Sequence, residues 1–178
     1  MNKEKIAFIP RQYLAVIAVL LAIMMSVLDG TIMNIALPTL AHDFDVTPST
    51  AIWIVNAYQL VITMTLLSFA SLGDIYGYRR IFLIGISIFV GASLACTLST
   101  SFWMLTAARV IQGFGAACVM SVNTALIRLI YPPQILGRGM GVNAMVVAVS
   151  AAAGPSIAGS ILAVSYTHLR AHETLSDL

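Results

Sequence analysis

Two charged residues stand alone inside apolar sequence, and together they could do proton chemistry. Asp29 lies in LDGTIMNIALP, residues 28–38, with no other charge between Arg11 and Asp43. Arg109 lies in LTAARVIQGFGAACV, residues 105–119. Placing a carboxylate at membrane depth costs about 2.5–3.5 kcal/mol on insertion scales, so such a residue usually faces a bundle interior or a wet cavity on an ion or substrate path. A guanidinium stays charged. The protonation of a buried acid beside it is set by desolvation and by that neighbouring charge. Gln112 follows Arg109 by three residues and shares its helix face. The further polar candidates in apolar sequence are Asn34, Asn56, Gln59 and Asn123.

Two other stretches are candidates for conformational work. In ASLGDIYGYRR, residues 70–80, Gly73 and Gly77 permit a tight turn, and Asp74 lies close enough in sequence to Arg79 and Arg80 for a small charge network. An ordinary solvated hairpin accounts for the same spacing. In SAAAGPSIAG, residues 150–159, Gly154 and Gly159 thin the helix, and Pro155 removes a backbone donor and predicts a kink. Plain helix packing is also compatible with this pattern.

These residues need elements to carry them. The chain is 60% hydrophobic and 9% charged with mean hydropathy +0.95, against about 25% charged residues in a soluble domain. Five apolar stretches are long enough to span a bilayer: 13–38, 50–72, 80–98, 102–127 and 139–163. The fold class is therefore an all-α, polytopic helical membrane bundle. Lys3, Lys5, Arg11, Arg79, Arg80, Arg128 and Arg138 all fall on one side, and the connections on the other carry no Lys or Arg. The positive-inside rule then puts residues 1–12 in the cytoplasm. Trp53, Trp103 and Tyr131 lie near the expected interfaces and read as belt anchors.

Depth links the two charges. Asp29 sits about 5 Å outward of the middle of the first span, and Arg109 about 8 Å outward of the middle of the fourth. An acid and a base at one depth offset each other's desolvation, so the first and fourth spans are expected to be neighbours. A static ion pair that only fixes packing is the other reading of this match.

Catalysis finds no support. No His or Lys lies in the spans and Asp29 is the one intramembrane acid, so neither a Ser–His, a Ser–Lys nor a paired-Asp centre can form there. No enzyme activity is expected. Cys96 and Cys118 lie in apolar runs without metal-ligand spacing and read as small packing residues, so no metal is expected. A transport-inactive membrane sensor is another reading; it would need a soluble signalling domain, which a C-terminal continuation could hold.

The last stretch, 164–178, is polar and unlike what precedes it. Residues 164–174 back-translate into a sequence that resembles a transposase adapter from short-read library preparation. The stretch is therefore expected to be an artefact, with the natural protein continuing past residue 163.

Taken in order, the four motifs resemble the major facilitator superfamily, specifically its fourteen-span drug:proton antiporter branch, over residues 13–163. LDGTIMNIALP resembles the first-span signature. ASLGDIYGYRR resembles the loop between the second and third spans, with Asp74, Gly77 and Arg79 in matching places; Ala70, Ile75 and Tyr78 depart from it. LTAARVIQGFGAA resembles the fourth-span signature at Arg109, Gln112 and Gly113. SAAAGPSIAG resembles the fifth-span antiporter signature, with Ser150 and Ala158 in place of glycines. The resemblance implies the first five spans of that fold and alternating access around a midplane cavity lined by the first and fourth spans. It implies proton-coupled export of amphipathic or cationic drugs across the cytoplasmic membrane. An exporter of a metabolite such as an amino acid or siderophore is the alternative. Implied partners are membrane lipid, a small-molecule substrate, protons and the C-terminal spans of the same protein. No nucleic acid is expected, and no cofactor, the energy coming from the proton gradient. Residues 1–163 alone are expected to transport nothing.

Overall fold

The computed structural model describes the backbone of residues 3–176 and the side chains of residues 12–159. The chain forms five long helices: α1 Lys3–Asp43, α2 Pro48–Tyr76, α3 Tyr78–Thr97, α4 Phe102–Ile130 and α5 Leu136–Ser176, with a 3-10 turn at Pro133–Ile135 before the last. Each is long and apolar enough to cross a membrane. Three of the five run past both expected ends, α4 starts where expected and overruns only its far end, and α3 stops a residue short, because hydropathy marks only the apolar part of a helix whereas caps decide where it stops. Thr47 caps α2, its hydroxyl accepting from the amide of Thr50, and Pro48 follows at the first helical position. Ser101 caps α4 in the same way through the amide of Met104. Asp45 takes a left-handed φ of 50° just beyond α1, a conformation that Asp tolerates.

The expected cytoplasmic segment 1–12 is already helical from Lys3, and α5 continues through residue 163 to Ser176. The side chains of Lys3, Lys5 and Arg11, and those of the adapter-like segment 164–178, lie outside the described residues.

The helices run up and down, and three apolar layers follow one another along the bundle. At one end Val19, Ile81, Phe82, Val122 and Leu126 pack together. In the middle are Tyr58, Ile62, Phe89, Ala116 and Ala117. At the other end Ile54, Phe102 and Leu105 meet Met33, Leu40 and Phe44. The first end carries Arg79, Arg80, Arg128 and Arg138 in or beside its connections, and the second carries Asp43 and Asp45. They are called here the basic end and the acidic end.

Helix α4 is the axis of the bundle. It packs closely on α2 and α3, also on α1, and more lightly on α5. Small residues permit this. A Cβ at Gly115 would lie 2.5 Å from the backbone nitrogen of Phe89, and one at Gly85 would lie 2.6 Å from Cys118 Cβ, so α3 and α4 touch backbone to backbone. Helix α1 is held between α4 and α5. Many apolar side chains point outward, among them Leu67, Leu94, Trp103 and Met145. In a bilayer such faces meet lipid or further helices rather than water.

Candidate functional site

The site is built on α4. Arg109 and Gln112 are one helical turn apart, and the neighbouring small residues let α2 and α3 close over them, so both are fully buried. Asp29 comes from α1, with 22% of its side chain exposed. Arg109 Nη1 donates to Asp29 Oδ2 at 2.7 Å, and the same nitrogen donates to Gln112 Oε1 at 2.7 Å. Gln112 Nε2 donates to Asp29 Oδ1 at 3.0 Å. The three side chains form a closed ring in which each carboxylate oxygen has its own donor. The expected adjacency of the first and fourth spans is therefore met by direct contact.

Tyr58, which the sequence reading passed over, and Cys96, which it took for a packing residue, complete the ring's surroundings. The Tyr58 ring of α2 lies under the guanidinium, 4.2 Å from its carbon, a cation–π contact that gains strength when desolvated. Cys96 of α3 donates through Sγ to Gln112 Oε1 at 3.5 Å. Arg109 Nε and Nη2 are buried without a hydrogen-bond partner among the described residues. The guanidinium thus uses one nitrogen rather than a two-pronged fork, and its face is used for stacking.

A cleft of about 330 Å³ reaches this ring. On one side it is lined by Met33, Ala36 and Leu40, a single stripe of α1 leading away from Asp29, and by Phe44 just beyond the helix. On the other it is lined by Ser93, Cys96, Thr97 and Ser99 at the end of α3, with Leu105 of α4 beside them. Asp29, Arg109 and Gln112 close its inner end.

The other expected residues are placed differently. Asn34 is exposed, bonds only back to Gly30 O at 2.9 Å and does not line the cleft. It is not part of the ring: it lies five residues after Asp29, which turns it well away from the face that Asp29 presents. The Asp74 network is also corrected. No ion pair joins Asp74 to Arg79 or Arg80 among the described residues, both arginines are exposed, and Asp74 instead accepts from the hydroxyl of Tyr78. The chain reverses at the single residue Gly77, with φ 94°, and this points the arginines outward. Gly77 makes the turn, as expected. Gly73 is instead a buried helical position, where a Cβ would sit 2.9 Å from the Tyr78 ring.

On α5, Gly154 is buried against α1: an added Cβ would lie 1.9 Å from Thr31 Oγ1. Ser150 and Ala158, one turn to either side, are buried with it. Pro155 lies within α5 without ending it. A Cβ added at Gly159 would meet nothing within 4 Å among the described residues. The small-residue face that packs is Ser150, Gly154 and Ala158, so the two positions that depart from the signature do the packing that its glycines suggest. Elsewhere, Asn123 Nδ2 donates to Asn143 Oδ1 at 3.0 Å and ties α4 to α5. Trp53 and Trp103 are exposed, as anchors would be, whereas Tyr131 is half-buried against Gly139.

Comparison with known proteins agrees with this architecture. The chain is 58% identical over 157 residues to the uncharacterized transporter YebQ of Escherichia coli K12, covering 88% of this chain and 34% of that protein. It is 36% identical over 152 residues to the riboflavin transporter RibZ of Clostridioides difficile, covering 85% and 33%. It is 38% identical over 151 residues to the drug efflux pump JefA of Mycobacterium tuberculosis, covering 84% and 30%. The chain spans about a third of the length of these relatives. The Major Facilitator Superfamily profile matches residues 19–169, and with five membrane-length helices gathered around α4, the chain belongs to that superfamily of membrane transporters.

Proposed function

We propose that the complete transporter is a proton-coupled antiporter that exports amphipathic, often cationic compounds across the cytoplasmic membrane. The observation that carries this reading is the Asp29–Arg109–Gln112 ring, where packed helices hold an acid that the cleft reaches. Ionised, Asp29 accepts from both neighbours. Protonated, it loses the charge that balances Arg109, so the α1–α4 contact differs between the two states. That difference is what a transporter needs to link a proton to a rearrangement. The similarity to a drug efflux pump supports drug export. The positive-inside pattern supports a cytoplasmic N-terminus, with the acidic end facing out. Asp29→Asn in the complete protein is expected to abolish proton-driven dye efflux from energised vesicles while the protein still inserts. Undiminished efflux would sink the proposal.

A second reading is an exporter of a metabolite on the same fold, such as an amino acid or siderophore. The similarity to a riboflavin transporter favours it. A panel of drugs and metabolites offered to the same vesicles separates the two.

A further inference from the structure

Asn123 is only 5% exposed, and its Nδ2 donates to Asn143 Oδ1. Its own Oδ1 is buried with no hydrogen-bond partner among the described residues. Buried polar atoms are nearly always satisfied, so an orphan acceptor at membrane depth asks for a donor. Two facing carboxamides can exchange two hydrogen bonds, because each has an acceptor oxygen and two N–H donors. This pair makes one. Asn143 is half-buried, and its Nδ2 makes no bond among the described residues. Asn123 lies fourteen residues beyond Arg109 on α4, about 21 Å along the axis and within about 40° of the same face. Asn143 lies seven residues before Ser150, on the α5 face that carries Ser150, Gly154 and Ala158. That face meets α1, with Gly154 against Thr31, two residues after Asp29. Among the described residues two polar contacts therefore join α1 and α5 to α4: Asp29 with Arg109 and Gln112 in the acidic half, and Asn143 with Asn123 in the basic half. Between them Val19 and Ala22 of α1 share an apolar cluster with Val119 and Val122 of α4. Such packing is non-directional and permits tilting. The start of α5 has room to move, since a Cβ added at Gly137 or Gly141 would meet nothing within 4 Å.

We propose that Asn123 and Asn143 form a two-setting clasp that answers the charge of Asp29. With Asp29 ionised, its contact holds the acidic half of α1 on α4, and the clasp keeps one hydrogen bond. With Asp29 protonated, that hold loosens. Helices α1 and α5, which pack on each other more closely than α5 packs on α4, tilt together about the apolar contact, and the basic half of α5 closes on α4. Asn143 Nδ2 then reaches Asn123 Oδ1 and the second bond forms. The clasp rests on the reading of Asp29 as the coupling acid. The charged and titratable groups that face Asp29 are Arg109 from α4, Tyr58 from α2 and Cys96 from α3; α5 packs on α1 at Thr31 and brings none among the described residues. Neither carboxamide titrates, so pH reaches the clasp through Asp29.

Spin labels attached through Leu129→Cys on α4 and Met145→Cys on α5, both exposed positions, measure the α4–α5 gap by double electron–electron resonance in the complete transporter with its native cysteines replaced. Asp29→Asn fixes the neutral state and should shorten the distance by about 1–2 Å, the size of an ordinary helix shift. Lowering the pH should shorten it in the parent and leave it unchanged in Asp29→Asn. In Asn143→Leu both shifts should fall below about half their size; Asn143→Ser is measured in its place if that variant does not accumulate. A distance that ignores both Asp29→Asn and pH, as a static tie with a water on Asn123 Oδ1 would give, overturns the clasp. A shift that persists in full without the Asn143 carboxamide overturns it too. The reading of Asp29 fails on a different measurement: an Asp29→Asn transporter that still couples protons to export removes that reading, whereas the distances decide the clasp.

Discussion

The Tyr58 ring lies 4.2 Å from the guanidinium carbon of Arg109. Since Arg109 Nε and Nη2 find no acceptor, this stacking is a principal constraint on how the guanidinium is turned toward Asp29. A desolvated cation–π contact is worth about 2 kcal/mol. Tyr58→Phe keeps the ring and is expected to export at near the wild-type rate. Tyr58→Leu removes it and is expected to lose export about tenfold or more in the vesicle assay, with membrane insertion retained. Equal loss in both variants would shift the role to the hydroxyl. Arg109→Lys is expected to fail as well, because an ammonium can replace Nη1 but does not stack as a plane.

Breaking a buried ion pair from one side costs about 3–5 kcal/mol, because the other charge is left behind. Asp29→Ala is therefore expected to lower the thermal stability of the detergent-solubilised transporter clearly. Asp29→Asn, which keeps an acceptor oxygen for Arg109, should lower it less. Combining Asp29→Ala with Arg109→Met removes both charges and should recover much of the stability without recovering transport. Fluorescence-detected thermal unfolding gives the ranking. Equal melting of the two single variants would contradict the buried-charge account.

Gly154 and Gly159 separate packing from motif membership. A methyl at Gly154 would meet Thr31 Oγ1 at 1.9 Å and Thr31 Cβ at 2.6 Å, whereas Gly159 meets nothing within 4 Å. Gly154→Ala is expected to displace α5 from α1, at about 1–3 kcal/mol for overpacking, and to reduce export. Gly159→Ala is expected to be harmless to the α1–α5 contact. Adding Thr31→Ala to Gly154→Ala relieves the hydroxyl clash but leaves the Cβ contact, so it should restore export only in part. Stability and efflux measured on all four proteins test the order.

At the basic end the partner of Asp74 is Tyr78, not an arginine. Tyr78→Phe is expected to alter export and melting about as much as Asp74→Asn, and the double variant no more than either, because they break one contact. Arg79→Gln, which removes an exposed charge without an ion pair among the described residues, should fall outside this cycle. Additive losses from Tyr78→Phe and Asp74→Asn would show that the two residues act independently.

The bundle and half of its site could be read from residue types. Asp29 and Arg109 stood out because a charge in apolar sequence demands a partner, and a shared depth identified which. Gln112 followed from helical spacing. Tyr58 and Cys96 did not stand out: an aromatic ring and a thiol look like packing residues until tertiary contacts show what they touch. Depth was an unused signal for Tyr58, which lies four residues from the middle of α2, at about 6 Å, level with both charges. Asp74 was misassigned because nearness in sequence was taken for nearness in space, whereas the reversal at Gly77 faces Asp74 toward Tyr78. Gly154 announced a close neighbour, but nothing local to α5 named it as Thr31.

Asp29 and Arg109 are 80 residues apart along the chain. At a synthesis rate of about 5–20 residues per second, Asp29 leaves the ribosome about 4–16 seconds before its counter-charge exists. Through that interval α1 waits in the membrane beside α2 and α3. Through the same interval its carboxylate has no guanidinium to offset its desolvation. Arrival of α4 brings the guanidinium and the Gln112 amide together. The order of helices in the chain is thus also a schedule for assembling the site, and a delay before α4 holds the nascent protein with Asp29 still waiting for Arg109.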